Sequence, residues 1–142
     1  MTEFYLTIPM EPVAKGRPRL GRGHTYTPQK TVDAEEFIQT VFLEKYPRSS
    51  PLLGVNTAIH LEVVFHKTFP KSMSKSARKT AWATSRPDLD NYIKLLTDAL
   101  NGLAWGDDSQ IVSMYIAKKY ADAPLIELKA KTINHLRSQT AL

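Results

Sequence analysis

Apolar and polar positions change period several times along the chain, and each change marks an element. Phe4, Leu6 and Ile8 alternate with Tyr5 and Thr7, a period of two that predicts a strand ended by Pro9. Gly16, Pro18, Gly21 and Gly23 then make residues 11–26 a loop. Thr27-Pro28 has the form of a helix start, and Ala34, Phe37, Ile38, Val41 and Phe42 follow at helical spacing until Tyr46-Pro47 stops the run. Ile59, Leu61, Val63 and Phe65 alternate with His60, Glu62, Val64 and His66, a second strand, and a short helix is expected near Ser74–Thr80. Leu89, Ile93, Leu96 and Leu100 recur at helical intervals up to Asn101-Gly102, a good stop. Ile111–Tyr120 is rich in strand formers, and Ile126, Leu128 and Ala130 alternate with Glu127, Lys129 and Lys131. Asp122-Ala123-Pro124 is expected to join these two strands as an antiparallel pair, and the residues from about Asn134 carry no strong pattern. The order β-α-β-α-β-β predicts an α+β fold, a mixed sheet with helices packed on it, in a single domain covering 1–142.

Composition narrows the chemistry. A chain of 142 residues, 42% hydrophobic, suits one domain with its own core. It has no cysteine, which removes disulfides, thiolate nucleophiles and thiolate zinc sites together. The four histidines, His24, His60, His66 and His135, lack ligand spacing, so any metal would be held by oxygen. No long apolar run or basic leader is present, and the expectation is a soluble, cytoplasmic protein without a membrane partner.

The net charge of +5 matters less than its distribution. Residues 13–32 hold Lys15, Arg17, Arg19, Arg22 and Lys30, and residues 67–87 hold Lys67, Lys71, Lys75, Arg78, Lys79 and Arg86, with no acid in either stretch. These are eleven of the 19 basic residues, leaving eight bases against 14 acids elsewhere. Segregated positive charge favours a polyanion such as nucleic acid, although each stretch alone is also what a solvated loop looks like.

Against that basic background stands an acidic group. Arg86-Pro87-Asp88-Leu89-Asp90-Asn91-Tyr92-Ile93-Lys94 is answered by Trp105-Gly106-Asp107-Asp108, which places four carboxylates and a lysine around the ends of one predicted helix. Asp88 and Asp90 can approach one cation, and Lys94 lies a turn beyond Asp90, opposite the leucine stripe. Asp107 or Asp108 reaches the same place only if the following strand passes beside the helix. Hard cations such as Mg²⁺ take oxygen ligands, polarise phosphate and acidify bound water, while a lysine offsets transition-state charge.

Each residue also has a plainer use. Asp88 suits a helix cap, Asp90 with Lys94 an ordinary surface pair, Gly106-Asp107-Asp108 a turn, and Asp98 a solvated position. His60 and His66 suit packing, and Trp82 and Trp105 a core or interface. The joint occurrence of acids, lysine and segregated bases is what raises the group above those uses.

Arg-Pro-Asp-Leu-Asp-Asn-x-x-Lys, then Asp98-Ala99-Leu100-Asn101-Gly102, then Asp107-Asp108-Ser109-Gln110-Ile111-Val112, resembles the RusA-type Holliday junction resolvases of bacteria and their prophages. Lys15-Gly16-Arg17-Pro18-Arg19 followed by Tyr26-Thr27-Pro28 is similar to their N-terminal signature, and the likeness spans roughly residues 3–131. It implies a homodimeric, Mg²⁺-dependent endonuclease that makes paired symmetric nicks in branched DNA, the four-way junction, with no small-molecule cofactor. By motif it implies Asp88, Asp90 and Asp108 as metal-binding and catalytic residues and Lys94 as the essential lysine, with Asp107 the lesser of its pair. Lys15, Arg17, Arg19, Lys75, Arg78, Lys79 and Arg86 would then hold the flanking DNA backbones. Because Pro87 directly precedes Asp88, a DNA contact that relatives make with a basic residue there would have to come from Arg86. The competing readings are a non-enzymatic DNA-binding or architectural protein, which leaves the acids unexplained, a structural or assembly protein of phage origin, which needs neither acids nor bases, and a metal nuclease of other substrate preference.

Overall fold

The computed structural model describes residues 1–133; the segment from Asn134, for which no pattern was expected, lies outside them. Strand β1 (Glu3–Ile8) buries every second residue, Phe4, Leu6 and Ile8, as its alternation requires. A small antiparallel hairpin follows, β2 (Arg19–Gly21) and β3 (His24–Tyr26), inside the stretch expected to be a plain loop. Its turn uses Arg22 and Gly23, both at positive φ, of 39° and 86°.

Helix α1 (Gln29–Lys45) buries Thr31, Ala34, Ile38 and Phe42, a single stripe at three- and four-residue spacing. Phe37, expected on that face, is exposed, and the helix begins from Pro28 without a side-chain cap, so Thr27 does not serve as one. Strand β4 (Ala58–Thr68) carries Ile59, Leu61, Val63 and Phe65 on its inner row. One helical turn, α2 (Lys75–Arg78), is capped by the Ser74 hydroxyl, which accepts from the Ala77 amide at 3.1 Å. Helix α3 (Leu89–Leu100) buries Tyr92, Ile93, Leu95, Leu96, Ala99 and Leu100, and stops at Asn101 and at Gly102, whose φ of +84° ends the helical course. A single 3-10 turn (Asp108–Gln110) leads into β5 (Ile111–Ala121), and β6 (Leu125–Ile133) closes the described chain.

The fold is α+β around one mixed four-stranded sheet of order β1-β6-β4-β5. β6 is antiparallel to β1 and to β4, while β5 runs parallel to β4 along the far edge. Thus β5 and β6 do not form the expected hairpin: β4 lies between them, and Asp122–Pro124 steps across its end. The physical reason is the long apolar row of β4, which is buried best with a neighbour on both edges. The element order gains the β2–β3 hairpin over the expected β-α-β-α-β-β, and α2 is the short helix expected near Ser74–Thr80.

Inner rows of β1, β6 and β4 meet α1 and α3 in one core that includes Phe42, Phe65, Tyr92 and Trp105. Phe4 and Phe42 meet edge to face at 5.5 Å, and Phe65 stacks on Tyr92 at 5.2 Å. The opposite sheet face is polar: His66 Nε2 pairs with Glu127 at 2.6 Å, Tyr5 donates to Glu127 at 3.0 Å, and His60 meets Ser113 at 2.7 Å. Both sheet histidines are therefore satisfied by neighbours, as packing groups are. Among the described residues no helix is long and apolar enough to cross a membrane.

Candidate active site

The exposed side of α3 carries Asp90, Lys94 and Asp98 at successive i,i+4 positions, opposite the buried stripe. Asp88 stands at the helix N-cap with extended backbone, yet its carboxylate makes no cap hydrogen bond. The plain reading of Asp88 as a cap thus does not hold, and its exposed oxygens face solvent at the head of the helix. Asp90, also exposed, accepts only from the adjacent Asn91 amide at 3.1 Å among the described residues.

The turn after α3 returns an acid to the same face. Trp105 is fully buried, and its indole N–H donates to Asn101 Oδ1 at 2.9 Å, which pins the turn to the end of α3. Gly106 is tightly placed: a Cβ there would stand 3.0 Å from Val55 and 3.1 Å from Gln110 Oε1, so those side chains would have to shift by a few tenths of an ångström. Gln110 Oε1 accepts the Gly106 and Asp107 amides at 2.7 and 3.1 Å, while Asp107 accepts from the Ser109 amide at 3.2 Å, forming a capping box on the 3-10 turn. Those bonds from Ser109 hold the Asp107 carboxyl below the usual carboxylate range. Asp107 is occupied in this way, and the next residue, Asp108, points its Oδ2 to 3.8 Å from Lys94 Nζ. β5 therefore does pass where the downstream acid can meet the helix.

Asp98, expected to be solvated, is instead the centre of an ion network. It accepts Lys94 at 3.1 Å and Lys15 at 3.3 Å, and Lys15 also reaches Glu35 of α1 at 3.1 Å. The Asp98 hydrogen bond, followed by its charge, raises the Lys94 pKa, and Asp108 and Asp107 add to the effect. The N-terminal loop is tied down alongside: the Lys15 amide donates to Asn91 O at 2.9 Å, and the Gly16 amide to Thr31 Oγ1 at 3.0 Å. Asp98 and Glu35 are the residues that sequence reasoning missed, and the i,i+4 spacing of Lys94 and Asp98 was the available signal.

Most of the other basic candidates lie on exposed segments. Arg17 and Arg19 are exposed in the N-terminal loop and β2; Lys75 and Lys79 are exposed at α2, and Arg86 is exposed just before Asp88. Arg78 differs, since its guanidinium lies 5.0 Å from the Phe69 ring and donates to Met73 O at 3.2 Å. Trp82 is 81% exposed among these bases, unlike buried Trp105. Lys15, as noted, already has two carboxylate partners.

As a cation site the group fits in chemistry and is open in geometry. Asp88, Asp90 and Asp108 offer only oxygen donors, and among the described residues only Asp108 of the three is paired with an ammonium. Among the described residues no three acids or histidines converge closely enough to hold an ion as they stand. Lys94 sits on the same face, where it faces Asp108 and Asp98 together.

Fold and site together define a small α+β protein with carboxylates and a lysine displayed on a helix amid exposed bases, an arrangement suited to phosphodiesters. The chain belongs to the endodeoxyribonuclease RusA family, whose model matches residues 9–131. It is 32% identical over 139 residues to the uncharacterized protein YqaN of Bacillus subtilis strain 168, covering 90% of this chain and 95% of that protein. It is 40% identical over 63 residues to the crossover junction endodeoxyribonuclease rusA of Lactococcus phage r1t, 44% of this chain and 48% of the phage protein.

Proposed function

We propose that this protein is a Mg²⁺-dependent endonuclease that resolves four-way DNA junctions by paired symmetric nicks, in DNA recombination and repair. The observation that carries the reading is the meeting of Asp108 with Lys94 on the Asp90 face of α3, below the uncapped Asp88. Plain structural uses of these residues do not predict that a turn eight residues beyond Leu100 should return an acid to Lys94. Membership of the family and the partial likeness to the phage enzyme support the substrate class.

In this reading Asp88, Asp90 and Asp108 would hold the cation, which when bound supplies Lewis acidity toward the scissile phosphate and a more acidic water. Lys94, positively charged and held by Asp98, offsets charge that develops on the phosphate oxygens. Arg17, Arg19, Lys75, Lys79 and Arg86 attract the flanking backbones, with Arg78 and Lys15 placed beside them. One such site per chain gives one nick, so two symmetric nicks call for two chains related by a two-fold axis, a homodimer.

The test is incubation with labelled four-way junction and matching linear duplex, in Mg²⁺ or in EDTA, with product mapping. Paired junction nicks that require Mg²⁺ are expected. Tight binding without cleavage would support a non-enzymatic DNA-binding protein instead, and equal cutting of duplex a nuclease of other preference.

A further inference from the structure

Two ammonium groups converge on the three residues that precede Asp88. Lys67 closes the inner row of β4 after Ile59, Leu61, Val63 and Phe65, and only 9% of it is exposed. Its Nζ donates to Ser85 Oγ at 3.1 Å and to Arg86 O at 3.0 Å. Lys118 of β5 donates to Ser85 O at 2.8 Å and to Pro87 O at 2.9 Å. The parallel register, with Phe65 opposite Lys118 and Lys67 opposite Tyr120, is what puts both lysines at one end of one sheet face. Tyr120 completes the group: its hydroxyl is 3.1 Å from Ser85 Oγ, and its ring lies 5.8 Å from Lys67 Nζ and stacks on Phe69.

An ammonium at the end of a core row loses hydration and needs acceptors in return. Among the described residues no carboxylate lies within 4.0 Å of either group, so no ion pair supplies them. The acceptors are the carbonyls of Ser85, Arg86 and Pro87 and one hydroxyl, and bonds from a charged donor are about twice as strong as neutral ones. The next carbonyl, that of Asp88, accepts the Asn91 and Tyr92 amides and opens α3. The backbone entering Asp88 is thus gripped on one side by lysines and on the other by the helix. A DNA contact, the obvious use for a lysine in a basic segment, does not suit Lys67, whose donors turn inward.

We propose that Lys67 and Lys118 are positioning residues, which fix the Ser85–Pro87 backbone and thereby set where the Asp88 carboxylate stands. Neither touches the reacting phosphate. The catalytic consequence rests on the endonuclease reading above; the backbone consequence does not.

The experiment compares wild type, Lys118→Met, which keeps the aliphatic stem, and Lys118→Arg, which keeps the charge. Amide hydrogen exchange is read at Asn91 and Tyr92, and cleavage of four-way junction is followed against Mg²⁺ concentration, with junction affinity measured in EDTA. For Lys118→Met, exchange at those amides is expected to quicken about tenfold relative to β4 and β6 amides, and kcat to fall about tenfold to a hundredfold. Half-maximal cleavage should need several-fold more Mg²⁺, junction Kd should stay within about twofold, and Lys118→Arg should recover most of the loss. If Lys118→Met is too unstable to assay, Lys118→Gln replaces it with the same expectations. Unchanged exchange at Asn91 and Tyr92 would overturn the proposal. So would weaker junction binding with a salt slope reduced by about one, which marks a phosphate contact. Wild-type protein that cleaves no junction would refute the endonuclease reading alone, and exchange would still decide the role of Lys118.

Discussion

Replacing Asp98 by asparagine tests the ion network directly, because one carboxylate serves two ammoniums. Asp98 lies 3.1 Å from Lys94 and 3.3 Å from Lys15, and its side chain is 21% exposed. Partly exposed pairs are each worth about 0.2–1 kcal/mol, so losing both should cost about 0.4–2 kcal/mol, or about 1–6 °C in Tm at this chain length. The pH dependence follows from the raised pKa of Lys94, whose first cause is the hydrogen bond to Asp98. A raised folded-state value means that the stabilisation is whole below the unfolded lysine value of about 10.4 and disappears as pH rises through the folded one. Wild type and Asp98→Asn should therefore differ at about pH 7–9 and draw together as pH rises toward and through the raised Lys94 value. At neutral pH Lys94 stays protonated in both, so any loss of cleavage reports its orientation; about 1 kcal/mol of lost anchoring corresponds to about fivefold in rate. Denaturant melts from pH 6 to 11, with single-turnover junction cleavage at pH 8, measure both effects. Equal stability across that range together with cleavage within about twofold of wild type would refute the network's role.

Asp90→Asn should lower cleavage by about a hundredfold or more while junction binding in EDTA is kept, since removing an acid from a basic surface cannot weaken phosphate attraction; a gel-shift and cleavage pair checks this. Gln110→Ala removes acceptors for the Gly106 and Asp107 amides and should cost about 1–2 kcal/mol in urea melts, with cleavage reduced through the looser Asp108. Arg19→Ala should weaken junction binding and lower the slope of log K against log salt by about one. Hydrogen bonds from His66, then Tyr5, hold the Glu127 pKa below its usual value. Its stabilisation is present above the unfolded glutamate value of about 4.3 and is lost as pH falls through the folded one, so Glu127→Gln should cost under about 1 kcal/mol at pH 6–7 and nothing near pH 2.

What could be read from the chain was whatever a local period encodes. β1, α1, β4 and α3 emerged from spacing because each has one buried row or stripe, such as Phe4, Leu6 and Ile8, and that row is dictated by residues two to four apart. The β5–β6 pairing was misread because Asp122–Pro124 suits a hairpin or a step across one strand equally, and only the demand of β4 for two neighbours decides. The β2–β3 hairpin was missed because strands of three residues leave no period to detect. At the site, Asp88, Asp90, Lys94 and Asp108 stood in motifs, and the structure brings Asp108 to Lys94. That Asp107 is engaged in a capping box was not written in the motif, and Glu35, Lys67 and Lys118 meet their partners across 18 or more residues. Nothing local in a sequence records such meetings.

The connection from α1 to β4 looks like an ordinary surface loop, yet it is laced to the turn that carries Asp108. Leu52 and Leu53 amides donate to Leu103 O and Ala104 O, each at 2.9 Å, and Gln110 Nε2 donates to Gly54 O and Thr57 O at 3.2 and 3.0 Å. For protein engineering this reverses the usual advice. New termini, epitope tags or inserted domains are normally sited in such connections, but a cut between residues 52 and 57 would release the carbonyl acceptors that hold Gln110, and with it the acid that faces Lys94. The β2–β3 turn at Arg22-Gly23, with open space around Gly23, is the sounder place to break or lengthen this chain.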